Sequence, residues 1–184
     1  RNDSDVQIGV VGYGEGGLLA LYSAALDTRI DATLVSGYFD SRQDMWSEPV
    51  SRNVYGLLDQ FGDAELASLI APRSLIIEAA KGPEFELPSE GGAPASLDTP
   101  DPKVVSSEVA RAKKLIGNEQ LDALSLIVSG DGYGVFASEK ALQSVAAAVL
   151  PNSKIAAVGS APKLCRELTD VQARESQQGL LELL

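Results

Sequence analysis

The densest chemical signal in the chain is the hexapeptide Gly12-Tyr13-Gly14-Glu15-Gly16-Gly17. It follows an apolar run, 6–12, and precedes a Leu- and Ala-rich stretch, 18–26, so it turns a strand into a helix. Two chemistries fit that turn. Gly12, Gly14 and Gly17 match G-x-G-x-x-G, in which the missing side chains let a pyrophosphate approach a helix N-terminus. The cofactor would be NAD(P), with Asp40, 23 positions beyond Gly17, on the ribose. Glu15 would repel the phosphates in such a site. Residues 12–16 also match the nucleophile elbow G-x-S-x-G, with Gly14 where the nucleophile belongs.

Other groups able to do chemistry are carboxylates. Glu15, Glu78, Glu84 and Asp131 fall at or just past C-terminal strand ends, the edge where open α/β sheets bind ligands. Converging, they would offer oxygen ligands to a divalent cation or activate a water. Apart, each is simply solvated, and in so acidic a chain no metal site is expected. Tyr13 and Tyr133 flank the same edge as candidate pocket walls, each equally suited to burial against the sheet. Ser36 and Ser129 stand at strand ends without a base and read as structural hydroxyls.

The 184 residues include no histidine, so the chain itself can build no Ser-His-Asp triad and no His-ligated metal. A single cysteine, Cys165, rules out an internal disulfide and a cysteine zinc cluster. Acidic residues outnumber basic ones 26 to 15, for a net charge of -11. That balance argues against nucleic-acid partners. Apolar residues make up 45%, a globular composition. No apolar run approaches the roughly 18 residues of a membrane-spanning helix. The sequence opens on Arg1 rather than Met, from which a piece of a longer protein is expected.

The elements that must position these groups alternate. Strands are expected at 6–12, 32–36, 73–79 and 123–128, all short, apolar and bounded by turn residues. Helices are expected at 18–26, in two short stretches over 54–70, and at 104–116 and 139–149. Residues 40–53 read as a polar excursion. Residues 82–103, with five prolines in 82–102, read as an exposed acidic loop. Further on, 155–158 suggests a last strand and 160–184 a helical tail. The pattern predicts one α/β domain over 1–184, a mostly parallel sheet with crossover helices.

Gly-Tyr-x-Glu-Gly-Gly at 12–17 resembles the Gly-Tyr-Ser-x-Gly-Gly elbows of the dienelactone hydrolase and acetyl xylan esterase-like members of the α/β-hydrolase superfamily. Residues 70–77, Ile-Ala-Pro-Arg-Ser-Leu-Ile-Ile, are similar to the stretch entering that family's acid-bearing strand. Residues 129–134, Ser-Gly-Asp-Gly-Tyr-Gly, are similar to its Gly-His-Gly turn. The resemblance implies a three-layer hydrolase fold whose N-terminal strands are missing, leaving its C-terminal half. It also implies a carboxylic ester hydrolase ancestry with a degenerate triad. Gly14 replaces the nucleophile, Asp131 or Gly132 the base, and Lys81-Gly82-Pro83-Glu84 brings no aspartate. The function expected is then a structural or ligand-binding one inside a larger protein, with no cofactor. Strand 6–12, central in the family, would be an apolar edge here unless the rest of a parent chain or another subunit covers it.

Overall fold

The apolar runs around Val10, Leu34, Ile76 and Leu126 become four strands of one parallel sheet. A computed structural model describes residues 6–88, 95–150 and 152. The strands are β1 (Gly9–Tyr13), β2 (Ala32–Ser36), β3 (Ser74–Ala79) and, after a hairpin, β6 (Leu124–Val128). They lie in the order β1-β2-β3-β6. The register sets Tyr13 beside Ser36, Ser36 beside Glu78, and Ala79 beside Val128. Thus the C-terminal ends of all four strands form one edge. The strand and helix expected at 155–158 and 160–184 lie outside the described residues.

Helices cover both faces. On one face α1 (Glu15–Leu26), α2 (Asp63–Ile70) and α3 (Pro102–Leu115) pack Leu21, Ala24, Ala67, Ile70, Val105 and Val109 against Val35, Leu75, Ile77 and Leu124. On the other, α4 (Glu139–Val149) sets Ala141 and Val145 against Ala32, Leu34, Ile76 and Ile127. Leu34 and Val35 therefore serve opposite layers, as the two-residue period of a strand requires. This is the three-layer α/β arrangement expected.

The strand expected at 6–12 is found at Gly9–Tyr13, two helices begin earlier than expected for local reasons, and the loop carries a hairpin of its own. The first helix begins at Glu15 rather than Leu18, because the Gly14 carbonyl accepts from the Gly17 and Leu18 N–H groups (2.8 and 3.1 Å) and closes a turn at once. The third helix begins at Pro102, where proline's fixed φ and missing N–H suit the first turn. Asp101 caps it, accepting from Lys103 N–H at 2.7 Å. The loop 82–103 holds an antiparallel hairpin, β4 (Phe85–Leu87) and β5 (Ala95–Leu97).

The first strand had the composition of a buried one. It pairs with β2 alone, and Val11 is 49% exposed. Among the described residues no strand pairs with its outer side, so β1 is the edge expected for an uncovered strand at 6–12.

Candidate functional site

At the end of β1 the backbone makes the sharp strand-to-helix turn of an elbow. Gly14 sits at φ 53°, ψ -118°, a conformation that strains any residue with a side chain. A Cβ on Gly12 would run into the Gly16 carbonyl and the Gly17 nitrogen, so strand and helix cross where only glycine fits. The Gly14 N–H donates to the Ser36 carbonyl (3.0 Å), which fixes the turn over β2.

The space a nucleophile would need is filled. A Cβ on Gly14 would lie 2.8 and 2.9 Å from Cγ and Cδ of Pro83. Beside it Gly37 (φ 60°) and Gly82 meet backbone to backbone, and a Cβ on Gly82 would stand 2.8 Å from the Gly37 carbonyl oxygen. The Gly82 N–H is held by the Thr99 hydroxyl at 3.0 Å. The crevice past the ends of β1, β2 and β3, where open α/β sheets take their ligands, is closed here by Gly37, Gly82 and Pro83.

Asp131 is exposed, in a left-handed conformation (φ 55°), beyond β6. β6 and β1 are the two outer strands, so three strand spacings, roughly 14 Å, separate their axes. The chain after Asp131 crosses that distance. Phe136 stacks on Tyr13 with ring centroids 4.2 Å apart. On the way, Ala137 and Ser138 donate their N–H groups to the Glu78 carboxylate (2.7 and 2.9 Å), which also accepts from the Ser36 hydroxyl (2.6 Å). Glu78 is 1% exposed, and these three bonds tie the 135–138 crossing to β3 and β2.

The remaining candidates go to separate partners. Glu15 accepts from Arg52 Nε at 2.5 Å. Glu84 accepts from the Thr99 hydroxyl at 2.6 Å and lies 3.6 Å from Lys81 Nζ; the Thr99 bond first, and then Lys81, holds its carboxyl below the usual range. Tyr133 is exposed. Among the described residues no three metal-ligating side chains stand close enough to share an ion.

Asp40 does not face the glycine turn. It lines a cavity of about 600 Å³ with Arg42, Asp44, Asp101, Lys103 and Arg111, and no residue of 12–17 lines that cavity. Strand order also goes against a dinucleotide site. In the doubly wound order 3-2-1-4 the fourth strand returns beside the first, creating the switch point; here it lies beyond β3. Neither the topology nor the filled crevice supports NAD(P).

A buried ionic network had no counterpart in the motif reading. Arg42 and Arg52, each 5% exposed, stack toward Tyr38, with guanidinium carbons 4.4 and 5.3 Å from its ring centre. Glu48 accepts from Arg42 Nη1 (2.7 and 2.8 Å) and from Arg52 Nη1 (3.2 Å), and Asp63 accepts from Arg42 Nε at 3.3 Å. The one sequence signal was the unusual charge of the 40–53 excursion, which points to solvent rather than to burial.

No family model and no curated protein matches the sequence. Solved structures do match the fold. A methylesterase, BT1017, superposes at TM-score 0.52 with 19% identity, covering 81% of this chain and 31% of its own. A carbohydrate esterase family 15 glucuronoyl esterase from Caldicellulosiruptor kristjansonii superposes at TM-score 0.46 with 16% identity, covering 84% of this chain and 47% of its own. The chain thus spans about a third of the methylesterase's length. At that identity the likeness concerns the fold, and the fold is the α/β-hydrolase one expected from the elbow.

Proposed function

Proceeding from an α/β-hydrolase-like, esterase-like fold, we propose that this domain is catalytically silent and serves a structural or ligand-binding role within a larger assembly, with no cofactor of its own. Pro83, packed where the side chain of residue 14 would stand, carries this conclusion. A serine ester mechanism needs an exposed nucleophile and a base beside it. Here the elbow ends in glycine, its side-chain volume is occupied, and the sequence holds no histidine. The backbone conformation of the turn nevertheless persists, which is consistent with descent from an active elbow. The Gly-Tyr-x-Glu-Gly-Gly motif favours kinship with the dienelactone hydrolase and acetyl xylan esterase group.

The exposed outer side of β1 supports the second half of the proposal. The outer side of β1, which pairs with no strand among the described residues, suits a further strand, supplied by the rest of a parent chain or by another subunit. Labelling with a fluorophosphonate, read by intact-mass spectrometry, tests the catalytic half. The expected result is no adduct above that of the denatured chain. A stoichiometric adduct on one serine, formed only by the folded protein, would overturn it.

A further inference from the structure

Asp63 opens α2 and is 1% exposed, yet its carboxylate is only half satisfied. Oδ2 accepts from the Asp40 N–H at 3.1 Å and from Arg42 Nε at 3.3 Å. Oδ1 has no partner, and neither does Arg42 Nη2. Both partners of Asp63 come from the excursion after β2, so this carboxyl is the joint between the excursion and α2. Arg42 itself is held at φ 59°, so the docked excursion carries backbone strain.

Charged and titratable groups face the joint from every side. Tyr22 comes from α1, and Tyr38, Asp40, Arg42 and Glu48 from the chain after β2. Glu108 comes from α3, where it is paired with Arg111. Among the described residues the only cation bonded to Asp63 is Arg42, and Arg42 is shared with both oxygens of Glu48. A buried carboxylate with one idle oxygen and a shared counter-ion is an expensive anion.

We propose that the 40–52 excursion is a proton-operated flap, docked most firmly when Asp63 is protonated in mildly acidic solution and held less firmly when Asp63 must be buried as a carboxylate near neutral pH. The flap residues 40–44 wall the 600 Å³ cavity against α3, so undocking opens that cavity.

The sign follows from linkage. Burial pushes the Asp63 carboxyl up to about 6, and Arg42 together with the Asp40 N–H pulls it down without cancelling the effect. Undocking returns the group to water and to an ordinary value near 3.9. The docked form therefore binds the proton more tightly, and docking weakens as pH rises toward and past 6. Asp40, half-buried and also raised by burial, acts in the same direction. Between pH 5 and pH 7.5 the ratio of docked to open flap falls about tenfold.

Hydrogen–deuterium exchange of the 40–53 amides, normalised to intrinsic exchange rates, tests the proposal on the full chain. Protection about tenfold lower at pH 7.5 than at pH 5 is expected, with the 74–79 amides unchanged and most of the difference removed in Asp63→Asn, the Asp40 share remaining. Equal protection at both pH values, or a difference undiminished in Asp63→Asn, would overturn it. Since the substitution itself can disturb α2, the wild-type Asp63 carboxyl carbon is also followed by NMR. A midpoint near 6 is expected, and a midpoint below about 4.5, the ordinary carboxylate range, overturns the proposal.

Discussion

A side chain at position 14 would have two costs, one in the backbone and one in space. The dihedral angles of Gly14 strain an L-residue, and its Cβ would press on the ring of Pro83. Gly14→Ser should destabilise the chain by about 1–3 kcal/mol in urea unfolding. Adding Pro83→Gly should return the part due to contact and leave the part due to dihedral angles. A neutral Gly14→Ser would mean that the turn relaxes more easily than its geometry implies. The glycine pattern at 12–17 was legible because turn geometry is local. The role of Pro83 was not, since its approach to Gly14 is a tertiary contact between distant parts of the chain. Glu78 shows the same division. Its place at a strand end was readable, but its burial under the Ala137 and Ser138 N–H groups was not. Glu78→Gln turns an acceptor-only group into one that also donates, and sets an NH2 against one of these three donors. A loss of about 1–3 kcal/mol is expected, with faster exchange of the Ala137 and Ser138 amides as the specific sign.

Between elements, α2 and α3 are stapled by one arginine. Arg111 pairs with Glu65 at the start of α2 and with Glu108, whose Oε1 also accepts from the Ala64 N–H at 3.1 Å. Arg111→Ala leaves Glu108, 5% exposed, without a counter-charge, and should cost about 1–3 kcal/mol. The Arg111 hydrogen bond holds the Glu65 carboxyl down at about 2. A lowered folded-state value means stability that is present above the ordinary carboxylate range and lost as pH falls toward 2. Arg111→Ala should therefore flatten the acid limb of the stability curve below pH 4.5, and an unchanged limb would show that the staple is solvated away. The helices were foreseeable from their apolar spacing, 105-109-112 in α3 above all. Their ion pairs were not, because a charged residue on a helix looks the same in sequence whether it meets solvent or a neighbouring helix. The 85–87/95–97 hairpin escaped for a related reason: three-residue strands between prolines carry too few positions for a period to register.

Across the whole molecule, the alternation of strands and helices gave the fold class, and the strand order separated a hydrolase-like sheet from a dinucleotide-binding one. The unfinished side is β1. Val11 within the strand and Val6 and Ile8 just before it are exposed, and among the described residues the strand has one neighbour, a surface prone to pairing between chains. Val11→Lys should reduce concentration-dependent association in sedimentation velocity while leaving the unfolding midpoint nearly unchanged. Unaltered association would place the sticky surface elsewhere. The molecule's central property is an intact elbow conformation around a filled, side-chain-free centre. The most direct measurement is hydrolysis of a short-chain nitrophenyl ester by the full chain, beside Gly14→Val and Asp131→Ala. A rate equal to buffer in all three is expected. Turnover by the wild type that survives repurification and is lost in either variant would contradict the account, and would mean that a working site exists at this edge without serine or histidine.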